Sequence, residues 1–316
     1  MLGLPEQAST IAPQVDLLFY AVLGVTTAVA IAIFATMIVF GIRYRAGSKA
    51  PRHEDIPAAQ ARARRRVELA WTLTPTLLFL GAFVWASRLY VQRADTPPNA
   101  VEVFVVARQW MWKLQHPGGQ REIDEMHVPR GQPVRLVMTS QDVIHSFFVP
   151  AFRLKQDVLP GSYTEMWFTP TRAGTYHLFC AEYCGTDHAR MGGDIVVMEP
   201  VAFERWLNAH RGGPDMAARG EARFREFGCS GCHGENASVH APNLAGLYGG
   251  SVPLSDGSTV IADERYIRDS ILLPRKEVVA GYAPIMPSFA GQIGEEDILD
   301  LIAYIKSLAG TRERPR

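Results

Sequence analysis

Residues 180–191 read CAEYCGTDHARM. Cys180, Cys184, His188 and Met191 bring two thiols, an imidazole and a thioether into one short segment. Soft sulfur ligands select copper, zinc or iron–sulfur clusters. A structural zinc site takes four Cys or His ligands in two close pairs, and no second pair lies nearby. A blue-copper site takes one cysteine and two histidines on a β-sandwich, which leaves one thiol too many. Two thiolates bridging two coppers fit the count, each metal then taking one histidine and one weak axial ligand. His188 serves one copper and Met191 is the axial ligand of its partner, or the reverse. The missing histidine is expected from elsewhere in the same domain, and SQDVIHSFFVP supplies His145. The other axial position suits a backbone carbonyl of the loop, with Glu182 as the candidate. Such a centre exchanges electrons with little change in geometry.

Around this loop the pattern is that of strands. VEVFVVARQWMWKLQ, QPVRLVMTS, YTEMWFTP, GTYHLFC and GGDIVVMEP are β-rich runs punctuated by Gly and Pro, as in an all-β sandwich or barrel. VAFERWLNAH then looks helical and RGGPDM looks like a linker. His177 reads as structural, and His116 and His127, without ligand spacing, as surface residues.

Beyond the linker, FGCSGCHGEN carries C-x-x-C-H at Cys229, Cys232 and His233. This is the attachment pattern of a c-type haem, with the histidine as proximal iron ligand. A thioredoxin-like dithiol expects a βαβ setting, whereas the flanks AARGEARFREFG and EEDILDLIAYIKSLAG are helical in pattern. A neutral soft sixth ligand suits electron transfer at raised potential. Met286, between two prolines in APIMPSFAGQI, is the methionine available after Met216.

At the other end, Leu17–Ile42 and Leu69–Ser87 carry no charge and are long enough to cross a bilayer. Pro75 marks a site for a kink in the second. The connector holds Arg43, Arg45, Lys49, Arg52, Arg62, Arg64, Arg65 and Arg66, whereas the segment before the first run has no basic residue. The positive-inside rule puts the connector in the cytoplasm and both termini outside. A cleaved signal peptide fits poorly without a basic n-region. Overall charge balances at 32 basic and 32 acidic residues, so nothing points to nucleic acid.

Together these motifs resemble subunit II of cytochrome c oxidase over roughly residues 15–207. The resemblance rests on the copper loop, DVIHSFFVP, VELAWTLTP, RQWMWKL and FRLKQDVLPG. It implies copper ligation by His145, Cys180, Cys184, His188, Met191 and the Glu182 carbonyl. It also implies a magnesium site at the Glu182 carboxylate shared with subunit I, electron entry at Trp110, and a proton-path entrance at Glu68. Residues 218–309 are similar to a class I cytochrome c, and APNLAGLYG then implies that the Pro242 carbonyl orients His233. The expected fold is a two-helix transmembrane hairpin (1–96), an all-β cupredoxin-like sandwich (97–207), a linker (208–217) and an all-α cytochrome c domain (218–316). The expected function is electron input to a membrane oxidase of the bacterial cytoplasmic membrane, with the copper and haem domains external. Electrons would pass from an external donor, such as cytochrome c or a bc-type complex, through haem c and copper to subunit I. Oxygen is reduced to water there, coupled to proton pumping; subunit III and membrane lipid are further expected partners. A linked haem would reach the copper at an effective concentration set by its linker. The alternative is a membrane-anchored copper/haem carrier without an oxidase partner. Nitrous oxide reductase needs a histidine-rich second copper cluster that nine histidines do not furnish. A quinol oxidase subunit lacks the copper ligands present here.

Overall fold

The structure is a computed structural model and describes residues 3–49, 58–234, 237 and 239–308. The chain divides into two compact units, Ile11–Asp95 and Met1–Thr10 with Thr96–Arg316.

The first unit is a pair of helices, α1 (Ala12–Arg43) and α2 (Ala58–Val91). Among the described residues these are the helices long and apolar enough to cross a membrane. Their large apolar side chains, Phe34 and Phe79 among them, face outward rather than into a core. Polar side chains fold back on the helix: the Thr26 and Thr36 hydroxyls donate to the carbonyls of Val22 and Ala32, which suits a lipid setting. Helix α2 runs on through Pro75 without a break in its assignment. Arg52 of the basic connector lies outside the described residues.

The second unit begins with a β-sandwich. Its strands are β1 (Val101–Arg108), β2 (Met111–Gln115), β3 (Arg121–Ile123), β4 (Glu125–Pro129) and β5 (Val134–Ser140), followed by β6 (His145–Val149), β7 (Leu154–Val158), β8 (Thr164–Phe168), β9 (Gly174–Cys180) and β10 (Gly192–Met198). One sheet has the order β3-β2-β1-β5-β8, the other β4-β10-β9-β6-β7. Most neighbours are antiparallel, but β1 runs parallel to β5 and β4 parallel to β10. The segment before α1 joins this domain: Ser9 bridges to Pro170, and its hydroxyl donates to the Phe152 carbonyl. Helix α3 (Pro200–Ala209) closes the sandwich.

The C-terminal domain contains α4 (Met216–Glu226), a short turn of helix α5 (Ser230–His233), α6 (Glu264–Leu272) and α7 (Glu295–Ser307). Asp215 caps α4 by accepting from the Ala218 amide. Helices α4 and α7 cross at Gly220, where a Cβ would stand 1.9 Å from the Asp300 carbonyl oxygen. A two-stranded hairpin, β11 (Ser251–Pro253) with β12 (Thr259–Ile261), interrupts the helices. The helical reading gave no sign of it, because three-residue strands are too short to show a period.

The two domains share a core. Strand β1 should alternate between buried and exposed, yet Val103–Ala107 are all buried. One face of the strand meets the sandwich interior. The other presents Phe104 and Val106, which with Val137 and Tyr163 join the apolar cluster of Met216, Ile298, Leu301 and Ile302. A polar network surrounds this contact. Arg135 reaches Glu102 at 2.6 Å, Glu165 at 2.6 Å and Glu264 at 3.0 Å. Lys306 joins Glu102 at 2.9 Å and Glu264 at 3.0 Å. Further along, Lys113 pairs with Glu296, and the Arg268 guanidinium donates to the Gly161 carbonyl.

His116 and His127 are not surface residues. His116 is buried and His127 nearly so, and both donate to the Glu122 carboxylate while Trp206 of α3 lies against their rings. Their partners come from other elements, so no spacing announced them.

Glu264 is 1% exposed. Burial pushes its carboxyl up, but hydrogen bonds and charge from Arg135 and Lys306 outweigh that and hold it at about 2, below its ordinary 4.5. A folded-state pKa lowered in this way contributes stability that is full above 4.5 and lost as pH falls from 4.5 toward 2. Glu264→Gln should destabilise the docked pair by about 1–3 kcal/mol, since it takes a buried charged acceptor from Arg135 and Lys306, which keep Glu102 and Glu165 as partners, and should flatten the melting temperature of the full chain across that acid window. An unaltered acid profile would remove Glu264 from the network's acid response.

Candidate functional site

Two clusters of candidate ligands form in the second unit. In the first, β9 delivers Cys180 at its last residue and β6 delivers His145 at its first. These two strands pair through Phe147↔Cys180, which brings the residues together across 35 positions of sequence. Cys180 Sγ and Cys184 Sγ are 3.8 Å apart. His145 Nδ1 lies 4.0 Å from Cys180 Sγ, and His188 Nδ1 lies 3.5 Å from Cys184 Sγ. Met191 Sδ is 3.1 Å from His145 Nδ1 and 3.7 Å from Cys184 Sγ. The Glu182 carbonyl accepts from the Cys180 thiol at 3.3 Å. Thiol, imidazole and thioether atoms thus converge on one volume, and His145, Cys180, Cys184 and Met191 are all buried. The chemistry of this donor set fits soft-metal binding.

Several residues outside the expected set hold this cluster. Asp142 accepts from His145 Nε2 at 2.8 Å, and also from the backbone amides of Gln109 and Val143 at 2.7 Å each. Burial raises the Asp142 carboxyl, and these hydrogen bonds outweigh it, so its pKa is lowered. The carboxylate fixes which ring nitrogen of His145 carries the proton and leaves Nδ1 facing the sulfur atoms. A carboxylate three residues before a candidate ligand histidine is the sequence signal that could have found it. Gln109 Nε2 and Trp110 Nε1 both donate to the Cys184 carbonyl, at 2.7 and 3.2 Å. Trp110 is therefore half-buried against the loop. Burial pushes the Cys180 thiol up, but the hydrogen bonds from His145 and backbone groups win and lower it; Cys184 moves upward through burial and the neighbouring Cys180 charge.

In the second cluster, Cys229, Cys232, His233, Pro242 and Met286 line one cavity of 290 Å³. Its other walls are mostly apolar, including Phe224, Leu301 and Ile305, with Ser270, His240 and Glu277 also on the lining. His233 Nδ1 donates to the Pro242 carbonyl at 2.9 Å, leaving Nε2 free to face the cavity. The two thiols, the imidazole and the thioether on an apolar wall fit a covalently attached haem. Glu68 belongs to the helical unit, on α2, where it pairs with Arg64 at 2.9 Å and stays exposed. His177 is exposed and pairs with Asp194.

Family models match the chain in three consecutive stretches: "Cytochrome C oxidase subunit II, transmembrane domain" at 1–85, "Cytochrome C oxidase subunit II, periplasmic domain" at 115–200 and "Cytochrome c" at 217–309. Cytochrome c oxidase subunit 2 of Alkalihalophilus pseudofirmus is 28% identical over 301 residues, 89% of this chain and 83% of that one. The protein of the same name from Thermostichus vulcanus is 30% identical over 261 residues, 64% of this chain and 77% of that one. The crystal structure of the periplasmic domain of subunit II from Bradyrhizobium japonicum covers 37% of this chain and 97% of its own, at 30% identity and a TM-score of 0.36. The chain belongs to the cytochrome c oxidase subunit II family, a component of an oxidoreductase complex. Its domain order is that of a caa3-type subunit II, with a cytochrome c domain fused behind the cupredoxin-like one.

Gly185 fixes the loop against the Gln109–Trp110 turn. Its φ is +118°, and an added Cβ would lie 2.9 Å from Gln109 Nε2 and 3.2 Å from the Trp110 ring. Gly185→Ala should destabilise the domain by about 1–3 kcal/mol through this backbone strain, and should alter Trp110 fluorescence. Thermal unfolding followed by fluorescence reads both, and a variant identical to the parent would show that the loop is not pinned there.

Proposed function

We propose that this chain is the electron-input subunit of a bacterial membrane cytochrome c oxidase. It takes electrons from an external donor, such as cytochrome c or a bc-type complex, and passes them through haem c and dinuclear copper to subunit I. Subunit I reduces oxygen to water, coupled to proton pumping. The observation that carries this reading is the pair of buried thiols 3.8 Å apart, flanked by one imidazole nitrogen on each side.

The proposed copper ligands are Cys180 and Cys184 as shared thiolates, with His145, His188, Met191 and the Glu182 carbonyl completing two sets. Met191 lies beside His145, and His188 lies beside Cys184, so each imidazole would hold a metal from its own side of the thiol pair. Bound in this way, the copper pair supplies one-electron exchange. The surrounding residues hold its ligands still: Asp142 keeps the proton on His145 Nε2, and Gln109 and Trp110 hold the Cys184 carbonyl. Haem c would be attached through Cys229 and Cys232 and its iron held by His233 and Met286, with the Pro242 carbonyl accepting from His233 Nδ1 and orienting its ring. The largely apolar walls of the cavity would exclude water from a haem bound there, which favours the reduced state.

The division into 1–96, 97–207, 208–217 and 218–316 belongs to the same proposal, although residues 309–316 lie outside the described ones. So do electron entry at Trp110, a proton-path role for Glu68, and magnesium at Glu182. The basic residues of the connector support a cytoplasmic connector and external copper and haem domains on the cytoplasmic membrane. Subunit III and lipid are proposed neighbours. The rival is a copper/haem carrier without an oxidase. A polytopic haem subunit that co-purifies with the chain supports the oxidase reading, and its absence from a gently solubilised preparation supports the carrier.

Metal analysis and low-temperature electron paramagnetic resonance on the full-length protein provide the direct test. Two coppers and one iron per chain, with a seven-line mixed-valence pattern that is lost in Cys184→Ser while the haem persists, is the expected result. One copper, or zinc, would overturn it. Asp142→Asn should weaken copper binding by about 10–100-fold, the usual cost of losing a carboxylate behind a ligand histidine. Competition with a copper chelator measures this, and unchanged affinity would show that Asp142 does not position His145.

A further inference from the structure

Four arginines stand just ahead of Leu69, where the uncharged run of α2 begins, and they are not equivalent. Arg64 is held by Glu68 at 2.9 Å. Arg62, Arg65 and Arg66 are exposed and meet no carboxylate among the described residues. A helix turns about 100° per residue. Arg62, Arg65 and Arg66, at i, i+3 and i+4, therefore share one face. Arg64 and Glu68 fall about 200° and 240° round from Arg62, on the opposite one. The helix thus has an ion-paired side and a cationic side without counter-charge. The wider segment 43–68 is cationic as well, with eight basic residues against three acidic ones.

The cationic face continues into the apolar run. Leu69, Leu73, Leu77 and Leu80 lie within about 60° of Arg62 in rotation, and each is exposed. One face therefore carries cations at its end and leucines along its length. At a rise of 1.5 Å per residue, Arg66, Arg65 and Arg62 stand about 4.5, 6 and 10 Å ahead of Leu69. The headgroup layer adds roughly 5–8 Å to each side of the hydrocarbon core. Arg65 and Arg66 sit at that level, and the long side chain of Arg62 can reach back to it. Guanidinium groups take phosphate through paired N–H donors, which an ammonium does not offer.

We infer that Arg62, Arg65 and Arg66 form a docking site for the headgroup of an anionic phospholipid, whose acyl chains lie along the leucine face. The inference rests on the membrane reading above and narrows its lipid neighbour to one charge class. A zwitterionic headgroup brings its own cation beside the phosphate, and three arginines without a counter-charge disfavour it. The connector end of α2 lies on the proposed cytoplasmic side, where the leaflet surface is negative. Glu68, the proposed proton-path residue, is on the other face, so lipid and proton path do not compete for one side of the helix.

The test titrates detergent-solubilised full-length protein with phosphatidylglycerol and, separately, with phosphatidylcholine, counting bound lipid by native mass spectrometry. Preferential retention of phosphatidylglycerol is expected. Its affinity should fall about fivefold for each arginine removed, hence about 25-fold when Arg65→Gln and Arg66→Gln are combined. Arg64→Gln removes the same charge from the opposite face and should leave the affinity within about twofold of the parent, since its charge is already held by Glu68. Six of the eight basic residues remain in the double variant, so the hairpin keeps its orientation. Equal affinity for the two lipids, or a loss in Arg64→Gln as large as in Arg65→Gln, would overturn the site and leave only diffuse attraction. A chain that stays soluble without detergent would overturn the membrane reading itself, and the site with it.

Discussion

Strand β1 is the element on which both candidate centres depend. Its middle, Val103–Ala107, is buried on both faces, once by the sandwich and once by the C-terminal domain. Its end runs into the turn at Gln109 and Trp110, whose side chains hold the Cys184 carbonyl. One strand thus anchors the docked domain and braces the cysteine loop. The charges at its rim fix the docking further. Glu102 on β1 and Arg135 on β5 meet Glu264 and Lys306 from α6 and α7. A buried charge left unpaired is costly, so few orientations of the C-terminal domain are tolerable, and the apolar cluster selects among them.

This arrangement changes how the covalent fusion acts. The linker reading makes the C-terminal domain a tethered ligand whose local concentration depends on chain length. In the structure the connecting segment is itself pinned. The Met216 amide donates to the Pro117 carbonyl, and Met216 is buried. A docked partner has already lost its rotational and translational freedom on folding, so no association cost remains at each encounter. Helix α7 shows how closely the parts are joined. Glu296, Asp300 and Lys306 face the sandwich sheet, whereas Leu301 and Ile305 line the cavity around Cys229, Cys232 and His233. One helix is both interface and cavity wall.

Local spacing explains what could be read from sequence. Cys180, Cys184, His188 and Met191 lie in one loop, and C-x-x-C-H is a five-residue pattern, so their chemistry shows without a fold. His145 was reachable because a ligand count demanded a second imidazole. The docking was not legible. VFVVA reads equally as a strand with one buried face or two, and Glu102, Arg135, Glu165 and Glu264 come from four elements with no common period. His116 and His127 failed for the same reason: Glu122 and Trp206 lie on different strands and a helix, so an apparently isolated histidine became part of a buried cluster. Pro75 warned of a kink that the assigned helix does not show as a break.

In both clusters some donor groups are held by a second contact. His145 is held by Asp142, His233 by Pro242, and Cys184 through its own carbonyl. A residue fixed in this way cannot relax far when the charge beside it changes, because movement breaks a hydrogen bond made to a rigid partner. Ligands on strand ends and short loops braced by outer contacts are positioned more firmly than ligands on free loops. Burial adds to this at the cysteine loop: with His145, Cys180, Cys184 and Met191 all withdrawn from solvent, little water is present to reorganise. Such bracing suits groups whose charge alternates while their geometry stays fixed, which is the physical requirement of the proposed electron relay.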